Sequence, residues 1–200
     1  MYRVILASES PRRKEIMDIM GIPYETMPAN VLEVVAETDP ADMVQALAAK
    51  KAKHIAAKMD RPAGEYIIIG ADTMVFYQGN ALGKPKDSED AVQMLSMLSG
   101  HIHEVITGVY IIIRSKYGND KDISFAVSTK VTVQPLTMEQ IEAYVATGEP
   151  FDKAGSYAIQ GKFGIFIKEI TGDYYNIVGF PIAKIYEKLL EEGINIKNLK

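Results

Sequence analysis

YIIIGADTMVFY, residues 66–77, decides what kind of sheet this chain builds. Tyr66 to Gly70 and Thr73 to Tyr77 read as strand, with apolar residues in continuous runs rather than in alternation. Such strands are buried on both faces, beneath helices, and the run ends in the turn Gln78-Gly79-Asn80. Tyr2 to Ala7 is a second short apolar run of the same kind. Helical segments surround them. Ser10-Pro11 supplies a cap residue followed by proline at the first helical position, and Gly21 closes that helix. Asp39-Pro40 opens another, running to about Met59. Ser88 to Leu98 is helical, with Gly100 just beyond. Val105 to Arg114 and Ile123 to Gln134 are strand-like and flank the turn-forming residues 117–120. Thr137 and Gln140 have capping-box spacing for a helix that Gly148 ends. Strands around Tyr157–Ile159 and Gly164–Ile170 and a helix from Ile182 to Glu191 complete the chain. βα units mixed with a hairpin predict an α/β fold, a mixed β-sheet flanked by helices.

Bulk properties narrow the function. The chain has 200 residues, 48% hydrophobic and 24% charged, with no Pro/Ser-rich linker, and residues 1–200 read as one domain. It has no cysteine, which removes disulfides, thiolate metal sites and cysteine nucleophiles. A formal net charge of −4 argues against a general nucleic-acid binder. The N-terminal apolar run is too short for a signal peptide and no stretch reaches transmembrane length, so no membrane partner and a cytoplasmic location are expected.

Several charged residues stand where charge is costly. Asp72 interrupts a segment that otherwise reads as fully buried, where a carboxylate needs a cation, a metal or several donors. A structural aspartate held by backbone amides beside Gly70 is the competing reading. Arg12 and Arg13 occupy the first turn of a helix, where the dipole already carries positive potential. An anion docked there, with Ser8 and Ser10 and the free helix amides, would account for them; a solvated basic turn is the plainer account. No Walker A sequence is present. On a helical wheel Met43, Val44, Leu47, Ala48 and Ile55 form an arc with Lys51 near its centre, whereas Lys50 and Lys53 fall outside it. An inward Lys51 could meet a phosphate or a carboxylate; a long stem over the core with its ammonium in water is the more common arrangement. Lys84 is held between Gly83 and Pro85 and could meet the same anion. Glu33 could be a second metal-binding oxygen. His101 and His103 read as surface histidines, and Met17, Met20, Met94 and Met97 as core filler.

Taken together these blocks resemble the Maf family of nucleoside triphosphate pyrophosphatases. The resemblance is carried in order by Leu6-Ala7-Ser8-Glu9-Ser10-Pro11-Arg12-Arg13, Gly70-Ala71-Asp72-Thr73, Gly83-Lys84-Pro85, residues 152–161 (DKAGSYAIQG) and residues 172–179 (GDYYNIVG). It implies an elongated sheet with two lobes around a cleft, similar to inosine triphosphate pyrophosphatase, often as a homodimer. The implied activity is hydrolysis of a nucleoside triphosphate to the monophosphate and pyrophosphate with Mg²⁺ or Mn²⁺. The implied proton acceptor is Asp72. Ser8, Arg12, Arg13, Lys51 and Lys84 would bind phosphate, and Asp72 with Glu33 would hold the metal. Ala71-Asp72-Thr73 and Ala158-Ile159-Gln160-Gly161 resemble the dTTP/UTP branch rather than the 7-methyl-GTP branch, which makes Arg12, Thr73 and Gln160 the specificity residues. Glu9 and Lys162-Phe163 depart from the small residues usual at those places, and Phe163 is expected to reshape the base pocket. A non-catalytic nucleotide-binding regulator of septum formation is the rival reading; it would not need Asp72, a metal and the lysines together.

Overall fold

The computed structural model describes residues 2–59, 64–116, 118 and 120–199. Tyr117 and Asn119 of the expected turn lie outside that set. Strands β1 (Tyr2–Leu6), β2 (Glu25–Thr26), β3 (Glu65–Tyr77), β4 (Asn80–Leu82), β5 (Ile102–Arg114), β6 (Lys121–Val133) and β7 (Ile167–Thr171) make one sheet. Its order is β2-β1-β3-β5-β6-β7, with β4 paired to β3 off that path. β1 pairs parallel with β2 and β3, while β3/β4 and β6/β7 are antiparallel, so the sheet is mixed. The helices are α1 (Pro11–Ile19), α2 (Pro40–Lys58), α3 (Ser88–Leu98), α4 (Met138–Val145), α5 (Tyr174–Val178) and α6 (Ile182–Glu191). This is the expected open α/β sheet flanked by helices.

The chain divides into two compact units, each assembled from separate segments. Unit 1 takes residues 1–72, 107–127 and 179–200, and unit 2 takes residues 73–106 and 128–178. In unit 1 the core gathers Ile5, Ala7, Ala52, Ile55, Tyr66, Ile68 and Ile112. The Asp39 carboxylate accepts from the Ala41 and Asp42 amides and starts α2. That helix buries Val44, Leu47, Ala48, Lys51, Ala52 and Ile55, and it leaves Lys50 and Lys53 exposed. Two glycines let it approach the sheet. A Cβ on Gly70 would lie 2.4 Å from the Ala48 carbonyl oxygen, and one on Gly108 would lie 2.3 Å from the Val44 carbonyl. Backbone therefore rests on backbone, with no side chain as spacer, and the inward stripe of α2 is set against β3.

Unit 2 has its own core, in which Val75, Leu95, Leu98, Val131, Tyr144 and Phe163 are buried together. Here several expectations need correction. Tyr66–Gly70 and Thr73–Tyr77 are one continuous 13-residue strand. Tyr157–Ile159 is not a strand, because 3₁₀ turns at Ala154–Ser156 and Lys162–Phe166 bracket it and the Ala158 amide donates to the Tyr144 phenol. Phe163 is fully buried, its ring 5.0 Å from those of Tyr144 and Tyr157 and 5.4 Å from that of Phe166. It fills the core and cannot line a base pocket. Met17 and Met94 are core residues as expected, but Met97 is exposed and Met20 only half-buried.

His103 is a further correction. His101 is exposed, but His103 is buried, its Nε2 2.7 Å from the Tyr157 hydroxyl. The spacing around Ile102 predicts one solvent-facing side for both histidines, but Tyr157 packs over His103 and covers it. Burial lowers its pKa from 6.5 to about 4. The folded chain keeps the imidazole neutral down to about pH 4, whereas the unfolded chain protonates it below pH 6.5, so its contribution is complete above pH 6.5 and is lost as pH falls toward 4. Between pH 6.5 and 5 it should account for about 2 kcal/mol of lost stability. Urea unfolding across that range should show a shallower pH slope in His103→Gln than in the wild type. Equal slopes would refute the assignment.

Candidate active site

Unit 1 brings six of the singled-out side chains together. β1 and β3 run parallel in register, with Leu6 opposite Ile69, so the chain leaving β1 enters Ser8 as β3 proceeds to Asp72. The region just beyond the carboxyl end of such a strand is where open α/β sheets hold their ligands. Ser8 is buried; its Oγ accepts from the Ser10 amide at 3.2 Å and from Arg13 Nη1 at 3.0 Å. Arg13 is buried in the first turn of α1, and its Nε donates to the Gly179 carbonyl at 2.8 Å. Ser10 makes no side-chain cap bond, contrary to the cap its position suggested. The hydroxyl of Ser8 organises that turn instead. Arg12 lies half-buried beside Arg13 and acts on it as a like charge.

Lys51 is the hub. Its Nζ lies 2.5 Å from Asp72 Oδ1 and 2.7 Å from Glu33 Oε1. Asp72 and Lys51 are both buried, whereas Glu33 sits on the exposed stretch before α2. Burial pushes the Asp72 carboxyl above the ordinary carboxylate range, Lys51 and then Arg13 draw it back down, and Glu33 adds a smaller upward push. Desolvation likewise lowers the Arg13 guanidinium, with Asp72 as the chief counterweight. The result is a low-dielectric pocket in which each charge is felt strongly by its neighbours. The reading of Asp72 as an aspartate satisfied only by backbone amides does not fit, since its carboxylate takes an ammonium at 2.5 Å.

Three further candidates belong to unit 2. Thr73 is half-buried on β3, the residue after Asp72. Lys84 is exposed between exposed Gly83 and buried Pro85. Gln160 is exposed at the turn between the two 3₁₀ segments. No group of three or more His, Cys, Asp or Glu suited to a metal occurs among the described residues. The two carboxylates that could meet one cation are those of Asp72 and Glu33. Both are within ion-pair distance of one atom, Lys51 Nζ, so both reach one point. One participant was invisible in the sequence, the main-chain carbonyl of Gly179, which carries no side-chain signature. Among the described residues no helix is long and apolar enough to cross a membrane.

The family described as Maf-like protein matches residues 3–192. The dTTP/UTP pyrophosphatase of Bacillus thuringiensis subsp. konkukian (strain 97-27) is 46% identical, over 98% of each chain. That of Agathobacter rectalis (strain ATCC 33656 / DSM 3377 / JCM 17463 / KCTC 5835 / VPI 0990) is 43% identical, over 98% of this chain and all of its own. A solved structure, the nucleoside-triphosphatase / dITP/XTP pyrophosphatase from Mycobacterium abscessus ATCC 19977 / DSM 44196, overlaps 67% of this chain and 75% of its own. Its TM-score is 0.39 at 13% identity. The match across nearly the whole chain means that the protein belongs to the Maf-like family.

Proposed function

We propose that this protein hydrolyses the α–β phosphoanhydride of dTTP and UTP, releasing the nucleoside monophosphate and pyrophosphate. CTP and modified pyrimidine nucleotides are further candidate substrates. The observation that carries the reading is Asp72, a buried carboxyl of raised basicity beside Lys51 and Arg13. The names of relatives 43–46% identical along the whole chain support the substrate.

Each residue then has a task. Asp72 accepts the proton of the attacking water, and its raised basicity makes it a better acceptor than a solvated aspartate. Lys51 has three ammonium protons, of which two face carboxylates, and the third is available to a phosphate oxygen. Arg13 is held by Gly179 and Ser8, so its guanidinium charge is oriented before the substrate arrives. Ser8 Oγ accepts two hydrogen bonds and keeps its own proton to donate. Arg12 and Lys84 contribute further positive charge to the triphosphate, and Arg12, Thr73 and Gln160 select the base. Asp72 and Glu33 would hold Mg²⁺ or Mn²⁺, for which two carboxylates plus substrate phosphates are a sufficient oxygen set. When bound, the ion supplies Lewis-acid polarisation of the phosphate oxygens. The family likeness further supports a homodimer, and a cytoplasmic location is part of the same proposal.

A panel of canonical and modified triphosphates with Mg²⁺, scored by pyrophosphate release, tests the reading. dTTP and UTP should rank highest. A preference for 7-methyl-GTP would overturn the branch assignment, and release of phosphate alone would overturn the reaction.

A further inference from the structure

The turn that presents Gln160 is held from behind by a phenol–carboxylate pair in unit 2. Tyr144, buried on α4, donates its hydroxyl to Glu149 Oε1 at 2.9 Å. The second oxygen of Glu149 accepts the Lys162 amide at 3.1 Å. The Tyr144 hydroxyl in turn accepts the Ala158 amide at 3.4 Å. Gln160 thus lies between two amides fixed by one acid–phenol unit. The Gly161 amide closes the turn onto the Ala158 carbonyl at 3.1 Å. Gly161 itself reports how close the carboxylate comes, since a Cβ there would lie 2.2 Å from Glu149 Oε1. The Tyr144 ring packs 5.0 Å from that of Phe163, which anchors the phenol in the core. Among these residues only Gln160, Gly161 and Lys162 are exposed.

We infer that Tyr144 and Glu149 are positioning residues for nucleobase selection, holding the Gln160 turn in the one conformation that can address a pyrimidine. This rests on Gln160 being a specificity residue, as proposed above. A backbone held at both ends presents a side-chain amide within a narrow range of positions. Binding then costs little ordering, and a base of the wrong outline meets a contact that cannot yield. Loss of either partner frees the turn while leaving Asp72, Lys51 and Arg13 untouched, so it should blur base choice and spare the chemical step.

The test compares wild type with Glu149→Ala, Tyr144→Phe and Gln160→Ala, using dTTP and dGTP with Mg²⁺. In the first two variants the dTTP/dGTP ratio of kcat/KM should fall by about tenfold, chiefly through a higher KM for dTTP with kcat within about twofold. Amide hydrogen exchange at Ala158 and Lys162 in the nucleotide-free protein should quicken by about tenfold as well. Glu149→Gln, which keeps the outline of the carboxylate, should recover part of the ratio. Tyr144→Phe keeps the ring packed against Phe163 and serves if Glu149→Ala melts early. If Gln160→Ala collapses the ratio but Glu149→Ala and Tyr144→Phe leave it unchanged, the positioning role is overturned and the specificity reading stands. If Gln160→Ala leaves the ratio unchanged, the specificity reading fails and takes the inference with it.

Discussion

Asp72→Asn should lower the rate of pyrophosphate release by about 10³-fold, the middle of the range for loss of a positioned general base. It should do so without unfolding the protein. The amide is nearly isosteric with the carboxylate, and Lys51 keeps Glu33 as an ion-pair partner at 2.7 Å. The carboxylate it replaces is disfavoured by burial, as its raised pKa records. A neutral group in that place carries no such penalty, so the melting temperature of the variant should not fall below that of the wild type. Steady-state turnover of dTTP and a thermal melt on the same preparation separate the two effects. A variant that remains active and metal-stimulated would remove Asp72 from the chemistry.

Gly70→Ala should cost about 3 kcal/mol, at the upper end of what overpacking a close contact does. The added methyl would sit 2.4 Å from the Ala48 carbonyl oxygen and 2.9 Å from the Ala52 amide nitrogen, both backbone atoms of α2. Neither can rotate away as a side chain would, so the helix itself must move. Lys51 lies between those residues on the same helix, and its 2.5 Å bond to Asp72 moves with it. Activity should therefore fall by more than stability alone explains at temperatures well below the melt. Gly64→Ala is the matched control, because a Cβ there meets nothing within 4 Å. Urea denaturation of both variants, with turnover at a permissive temperature, checks the claim. If Gly70→Ala equals Gly64→Ala in both measurements, the close crossing does not position the lysine.

What could be read in the chain beforehand depended on where the information resides. Helical periodicity assigns each residue a face and so places Lys51 in the middle of an apolar arc, but it does not say whether the ammonium reaches water or, as the structure has it, a buried carboxylate. Asp72 was visible for the parallel reason in a strand. The helix starts at Pro40 and Met138 were visible because caps are local chemistry, and the structure shows both the Asp39 cap and the Thr137–Gln140 box. His103 and Phe163 were misjudged. The partner that covers His103, Tyr157, lies 54 residues away, and a short strand pattern does not say which face the sheet will cover. Phe163 is covered by Tyr144 of α4 and by Tyr157 and Phe166 of its own irregular turns, where no periodicity assigns a face. Tyr157–Ile159 looked extended because β-branched and aromatic residues favour strands, yet the partner for its amide is a side chain. The crossing of α2 over Gly70 was equally hidden, since a glycine in a strand signals close approach without saying of what.

The hydrogen bond from Arg13 to Gly179 joins residues 166 positions apart and has a consequence for biosynthesis. At ordinary translation rates roughly 10–30 s separate the appearance of the two residues. Until then the guanidinium has Ser8 but not its main-chain acceptor, and unit 1 lacks α6, whose Ile182, Ile185 and Leu189 belong to its buried interior. A nascent chain stalled before position 179 would carry every acidic and basic side chain of the site and still leave Arg13 without the acceptor that orients it. Competence for catalysis should therefore arrive late and abruptly, once the segment carrying Gly179 and α6 has left the ribosome.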